Sequence, residues 1–104
     1  MQNNNEVRPS ERRRSGERAV IDCTVKIKPR DRSYFESVMS DLSITGFQVS
    51  CPADLGVGAS ILVAIPGLEM LPARVQWKSG FTYGCKFERE LYPAVFDHIV
   101  QKAR

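Results

Sequence analysis

Five arginines near the N-terminus form the first group of side chains that could do chemistry. Residues 1–18 hold these five arginines and three glutamates, so this segment carries +2 of the net charge of +3. Guanidinium groups suit phosphate oxygens and guanine edges, and they also stack on purine rings. Gly16 lets the chain bend, so that Arg14 and Arg18 can approach one ligand from two sides. Arginine-rich segments are also often simply solvated, and this segment alone therefore indicates no more than an anionic partner.

The second group is the Asp-x-Ser-x-x-Gly sequence of Asp41, Ser43 and Gly46. A carboxylate can accept hydrogen bonds from guanine N1 and N2 or hold an arginine in place, and Ser with a Gly-opened backbone can contact phosphate or base. The same residue types commonly shape a turn at a strand end, where Asp and Ser bond to backbone amides and Gly supplies a positive φ. Both interpretations stay open for this segment taken alone.

Side chains that could catalyse a reaction or bind a metal are not arranged for either task. His98 has no carboxylate or serine partner at a readable spacing, and the sequence has no Ser-His-Asp, Cys-His, paired-carboxylate or Walker-type arrangement. A zinc site built from Cys23, Cys51, Cys85 and His98 is conceivable, but these residues lack the short spacing typical of zinc motifs. We therefore expect no catalytic residues, no metal and three buried free thiols.

Alternating apolar residues predict the elements that must position these groups. Ile21 to Lys28 alternates without a break, as a half-buried strand does. Less regular alternation predicts five more strands, with Ala73, Val75 and Trp77 on one inward face and Phe81, Tyr83, Cys85 and Phe87 on another. Six short strands with one apolar face each close most economically into a small antiparallel β-barrel.

The end of the chain has a different period. From Glu90 onward Leu91, Val95 and Ile99 recur at helical spacing, and Pro93 is acceptable in a first turn. The predicted fold is therefore all-β with a terminal helix, that is, a six-stranded antiparallel β-barrel plus a C-terminal α-helix over about residues 90–103. Residues 1–17 are expected to form a flexible Arg-rich arm, and residues 18–104 the barrel with its helix.

Length and composition agree with one small soluble domain. The chain has 104 residues, of which 42% are hydrophobic and 26% charged, close to globular averages. No apolar run reaches the roughly 18 residues that a membrane span needs, so no membrane insertion is expected. The polar N-terminus lacks a secretory signal, which predicts a cytoplasmic protein.

The two chemical groups and the later strands together resemble the PilZ domain family. The Arg-x-x-x-Arg of Arg14 and Arg18 precedes the first strand, and the Asp-x-Ser-x-x-Gly sequence follows at the end of the second. The segments 73–77 and 83–87 look like the later strands of the family, a Val-x-Trp-like strand and then Gly-x-x-Phe. The resemblance extends from Arg12 to Arg104. It implies a six-stranded barrel with a C-terminal helix and cyclic di-GMP as the ligand.

The resemblance also implies roles for individual residues. Arg14 and Arg18 would clamp phosphate and guanine, with Asp41, Ser43 and Gly46 forming the opposing loop. An arginine at position 13, directly before the first motif arginine, implies two stacked ligand molecules per chain. Secondary site candidates are Arg12, which could add screening charge, and Trp77, because some family members place an aromatic residue of this strand beside the ligand. The alternation of Trp77 with Val75 is equally typical of a core tryptophan.

The expected function is ligand sensing. The arm would order over the ligand on the barrel surface, and an unidentified downstream protein would bind the new surface, so the chain would act in trans as an adaptor. We expect a monomer or a weak dimer. One alternative is a PilZ-like protein-interaction scaffold that binds no nucleotide. Another is a basic-arm nucleic-acid binder. The predicted strands lack an exposed aromatic and basic stacking face, which argues against this alternative.

Overall fold

Six antiparallel strands close into a barrel, and one helix follows them. The computed structural model describes residues 17–103. The hydrogen-bonded order of the strands, β1-β2-β3-β6-β5-β4, returns to β1, which confirms the predicted fold class. The elements are β1 (Ala19–Pro29), β2 (Phe35–Leu42), β3 (Gly46–Ser50), β4 (Ser60–Ala64), β5 (Met70–Ser79), β6 (Thr82–Phe87) and α1 (Pro93–Lys102).

The barrel interior is filled by the inward-pointing side chains, which alternate with outward-pointing ones along each strand. Val25, Val49, Val63 and Val75 lie on four different strands, and each is at most 1% exposed. β-branched side chains pack well on a pleated surface, and removing them from water supplies the main favourable term in folding. The barrel wall is therefore a fixed scaffold, on which the strand register decides which outward side chains become neighbours.

A buried tyrosine ties the long connection between β3 and β4 to the wall. Tyr83 on β6 is fully buried. Its hydroxyl accepts a hydrogen bond from the backbone N–H of Leu55 at 2.9 Å and donates one to the carbonyl oxygen of Ala53 at 2.8 Å. A buried phenol needs such partners. The connection is thereby held by one side chain at its midpoint.

The helix packs on the barrel through its apolar side. Phe96, Ile99 and Val100 are buried, and α1 begins at Pro93, three residues after the predicted start at Glu90. Pro is well suited to the first turn because its missing N–H would have no intrahelical partner there. In the described part of the chain, no helix is long and apolar enough to cross a membrane.

Two aromatic residues predicted to point inward are exposed instead. The pairing of β5 with β6 shifts register between Val75 and Trp77, and such a bulge turns the following side chains to the other face. Trp77 is therefore 43% exposed, and its predicted place beside Val75 in the core is wrong. Phe81 lies in the turn between β5 and β6 and is 60% exposed, so it does not continue the inward series of β6.

The substitution Tyr83→Phe should destabilise the barrel by about 2–4 kcal/mol, because it leaves one N–H and one carbonyl buried without partners. Urea unfolding followed by far-UV circular dichroism measures this loss. Tyr92→Phe is the matched control, since Tyr92 is 78% exposed and should unfold like the wild type. Equal unfolding midpoints for the two variants would contradict the role given to the Tyr83 hydroxyl.

Candidate functional site

The strand register places five residues in one row across the outside of the barrel. Val20 pairs with Asp41, Asp41 with Gln48, Gln48 with Gly84, and Gly84 with Trp77. On β3 and β6 both chain neighbours of the row, namely Phe47, Val49, Tyr83 and Cys85, are buried in the core, so the row faces outward there. We call these five residues the outer row. It joins a carboxylate from one predicted motif to the tryptophan that was only a secondary candidate.

Arg18 and Asp41, which lie 23 positions apart in the sequence, meet at one end of the outer row. The Nε atom of Arg18 lies 3.7 Å from Oδ2 of Asp41. The Arg18 side chain is largely exposed, whereas that of Asp41 is mostly covered. Within the described residues, the buried Oδ1 atom of Asp41 has no hydrogen-bond partner. A buried acceptor left unpaired costs about 1–3 kcal/mol, so this oxygen lacks the donor that a buried carboxylate normally has.

Ser43 shapes the loop that follows β2. Its Oγ atom accepts hydrogen bonds from the backbone N–H groups of Thr45 and Gly46, each at 3.2 Å, and lies 3.0 Å from the Thr45 hydroxyl oxygen. Ser43 is buried. The turn-forming interpretation of this serine is therefore correct, and any contact with a ligand would come in addition to this bonding.

Gly46 is required by a neighbouring strand and not by its own dihedral angles. Among the described residues, the glycines with positive φ are Gly58, Gly67 and Gly80, so the expectation of a positive φ at Gly46 is wrong. A Cβ atom at Gly46 would overlap the carbonyl oxygen of Cys85 on β6. The missing side chain lets β3 approach β6 closely at the end of the loop.

The indole of Trp77 lies on the backbone of Gly84. A Cβ atom at Gly84 would overlap the ring nitrogen Nε1 and the adjoining ring carbons of Trp77, so only glycine accommodates the indole in this position. A glycine inside a strand often marks such a close approach. Gly84 is a signal of this kind in the sequence, although the residue type alone does not say which group approaches it. Trp77 thus belongs to the outer surface of the site.

A surface pocket connects these residues. Its volume is about 360 Å³, at the lower end of the range for small-molecule sites. Four predicted site residues line it, namely Arg18, Ser43, Gly46 and Trp77, and sequence reasoning missed Thr45, Phe47, Gln76, Gly84, Cys85 and Lys86. Asp41 joins the pocket through its contact with Arg18. The predicted ligand contacts of Arg12, Arg13 and Arg14 lie outside the described residues.

The loop is also bonded to the end of β6 and to the segment that leads into α1. The N–H of Phe87 donates to the carbonyl oxygen of Thr45, and the N–H of Leu91 donates to that of Ile44, both at 2.9 Å. The Ile44 side chain is buried in the core. One side of the loop therefore meets the pocket while the other side is attached to the start of the helical segment.

Burial raises the pKa values of two cysteine thiols, Cys85 and Cys23. Burial, with a contribution from nearby Cys51, raises the pKa of the Cys85 thiol to about 12. Burial and the neighbouring Asp22 carboxylate also raise the pKa of Cys23, which is half-buried and not fully buried as expected. Over residues 17–103, no group of three or more His, Cys, Asp or Glu side chains is placed to hold a metal ion. Thiols in such surroundings are poor nucleophiles.

Comparisons with known proteins point to one family. The profile of the PilZ domain matches residues 12–102. The fold is similar to the crystal structure of the PilZ domain of CeSA from a cellulose-synthesizing bacterium, with a TM-score of 0.62 and 20% sequence identity. That similarity covers 85% of this chain and 95% of the other. No curated protein matches the chain significantly.

The substitution Gly84→Ala should displace the Trp77 indole at little cost, because a side chain can swing away, whereas Gly46→Ala pushes against a backbone carbonyl and should cost about 2 kcal/mol. The chain has one tryptophan, so a shifted fluorescence emission in Gly84→Ala reports Trp77 alone, and thermal unfolding gives the stability. Gly56→Ala is the control, since a Cβ atom there meets nothing. Unchanged emission in Gly84→Ala would contradict the stacked indole.

Proposed function

We infer the function from one premise, which is that the chain belongs to the PilZ domain family. PilZ domains are generally receptors for cyclic di-GMP and not enzymes. We propose that this chain binds cyclic di-GMP at the outer row and its pocket. We also propose that the bound state is recognised by a separate downstream protein, so that the chain works as a receptor and adaptor.

The observation that carries the proposal is the state of the Asp41 carboxylate. Arg18 contacts Oδ2, and Oδ1 is buried without a hydrogen-bond partner among residues 17–103. Guanine presents two neighbouring donors, N1–H and the N2 amino group, that a carboxylate can accept together. A guanine placed here would supply the donor that Oδ1 lacks among the described residues. Such pairing also favours guanine over adenine, because adenine has no N1–H donor.

The surroundings of Asp41 supply what the rest of the ligand needs. The half-exposed Trp77 indole offers an aromatic face to a purine. The exposed guanidinium of Arg18 can donate to a phosphate while its Nε atom stays near Asp41. In this proposal Arg14 clamps the ligand together with Arg18, and Arg12 adds positive charge. Ser43 and Gly46 contribute mainly by fixing the shape of the loop.

The attachment of the loop offers a route from ligand to partner. In this proposal the ligand contacts fall on the pocket side of residues 43–46. The carbonyl oxygen of Thr45 bonds to Phe87 at the end of β6, and that of Ile44 bonds to Leu91 before α1. Tyr92, directly before the helix, is largely exposed. Ordering of the arginine-rich segment over the ligand would enlarge this surface. We propose that the downstream protein contacts this region.

Calorimetric titration of cyclic di-GMP into the wild type, Arg18→Ala and Asp41→Asn tests the binding site. Each variant should lose affinity by at least about tenfold, because hydrogen bonds to charged groups contribute about 1.5–3 kcal/mol. The matched controls are Arg30→Ala and Asp22→Asn, which change exposed residues elsewhere on or beside β1 and should bind like the wild type.

Two outcomes of this titration contradict the proposal. Absence of heat in the wild type at tens of micromolar, with the fold verified, would leave the protein-interaction scaffold as the leading function. Salt-dependent binding to single-stranded nucleic acid, with no preference for the cyclic dinucleotide, would favour the nucleic-acid binder. Equal affinity of Asp41→Asn and Asp22→Asn would remove Asp41 from the site.

The number of ligand molecules forms a separate prediction. With Arg13 present, the wild type should titrate with a stoichiometry near two, because an extra guanidinium can stack on or bond to a second nucleotide. Arg13→Ala should reduce the stoichiometry to near one while keeping the first binding event. Arg8→Ala removes the same charge from the same segment and should keep the value near two. A wild-type stoichiometry of one would contradict the role of Arg13.

A further inference from the structure

Lys86 stands on the outer surface of the pocket, next to the loop of the proposed site. It lies on β6 between Cys85 and Phe87, which are both buried, so its own side chain points outward. The register places it opposite Gly46 on β3 and opposite Arg74 on β5. Lys86 lines the same pocket as Arg18 and Trp77.

The neighbouring cations are already engaged, whereas Lys86 is not. Arg74 donates to the carbonyl oxygen of Gly58 at 2.9 Å and pairs with Glu88 at 3.4 Å. Arg18 is paired with Asp41. Within residues 17–103, no carboxylate forms an ion pair with Lys86. Its ammonium group therefore adds positive charge to the pocket that nothing in the described chain neutralises.

The two glycines beside Lys86 leave room for a ligand. Gly46 lies across from it on β3, and Gly84 lies two residues earlier on the same face of β6. Neither glycine carries a side chain. The surface between the loop and Trp77 is therefore bare backbone at Gly46, and at Gly84 it is covered by the indole. A ligand that stacks on the indole and reaches the loop must pass beside Lys86.

We propose that Lys86 binds a phosphate group of the cyclic dinucleotide, as a phosphate contact beyond the motif arginines. The proposal rests on the proposed function and adds a residue to it. An ammonium group on a flexible four-carbon stem is a point charge with three donors, which suits a phosphate whose position is already fixed by base contacts. Asp41 would select the base, and Lys86 would hold the phosphodiester backbone.

Titrations of cyclic di-GMP into the wild type, Lys86→Ala, Lys86→Arg and Lys26→Ala test this role. Lys86→Ala should weaken binding about fivefold, as expected for a partly exposed ion pair, and Lys86→Arg should stay within about twofold of the wild type. Lys26→Ala removes the same charge from an exposed position on β1, roughly 25 Å along the strand direction from Arg18. It should bind like the wild type.

Salt dependence separates a direct phosphate contact from a change of shape. Raising NaCl from about 50 to about 300 mM screens ion pairs, so the wild type should lose more affinity than Lys86→Ala, and the two should converge. Thermal unfolding verifies that every variant is folded. If Lys86→Ala and Lys26→Ala bind alike while the wild type binds, the Lys86 proposal is overturned and the proposed function stands. If the folded wild type gives no heat, both are overturned.

Discussion

The close approach of β3 to β6 at Gly46 sets the geometry of the site. No side chain fits between Gly46 and the Cys85 carbonyl oxygen, and this contact fixes the register in which Gln48 faces Gly84 and Lys86 faces Gly46. Because register decides which outward residues meet, the positions of Asp41 on one side and Trp77 on the other follow from it. A slip of β3 by one residue would turn Gln48 towards the core.

The loop after β2 combines two kinds of bonding that serve different purposes. Ser43 bonds within the loop and gives it one shape. The carbonyl oxygens of Ile44 and Thr45 bond outside the loop, to residues that precede α1. Because the loop is hydrogen-bonded both internally and to neighbouring residues, we expect it to move as a unit. In the proposed function, a ligand on the pocket side of the loop would act on Leu91, just before α1, through the carbonyl oxygen of Ile44.

The sequence predicts the barrel well because alternation is a direct consequence of strand geometry. The prediction from alternation fails at Trp77, because a β-bulge adds one residue to the alternating pattern and the local composition does not reveal it. Gly46 and Gly84 show a second limit. The residue type indicates that a side chain is not tolerated at these positions. Whether the cause is a positive φ, a neighbouring strand or a packed indole depends on residues that are distant in sequence. The family resemblance implies that Arg18 and Asp41 serve one ligand, but it does not predict the direct contact between the two side chains.

The charge of the described site residues is smaller than the charge of the proposed ligand. Arg18 and Lys86 supply two positive charges at the pocket and Asp41 one negative charge, which gives a net charge of +1 from the described residues. A cyclic dinucleotide carries two phosphodiesters with one negative charge each, and a second ligand doubles that number. In the proposed complex, the described residues would therefore leave part of the phosphate charge unbalanced. Apart from Arg18, which is already counted, residues 1–17 hold four arginines and three glutamates, an excess of +1 that matches the charge remaining for one ligand molecule.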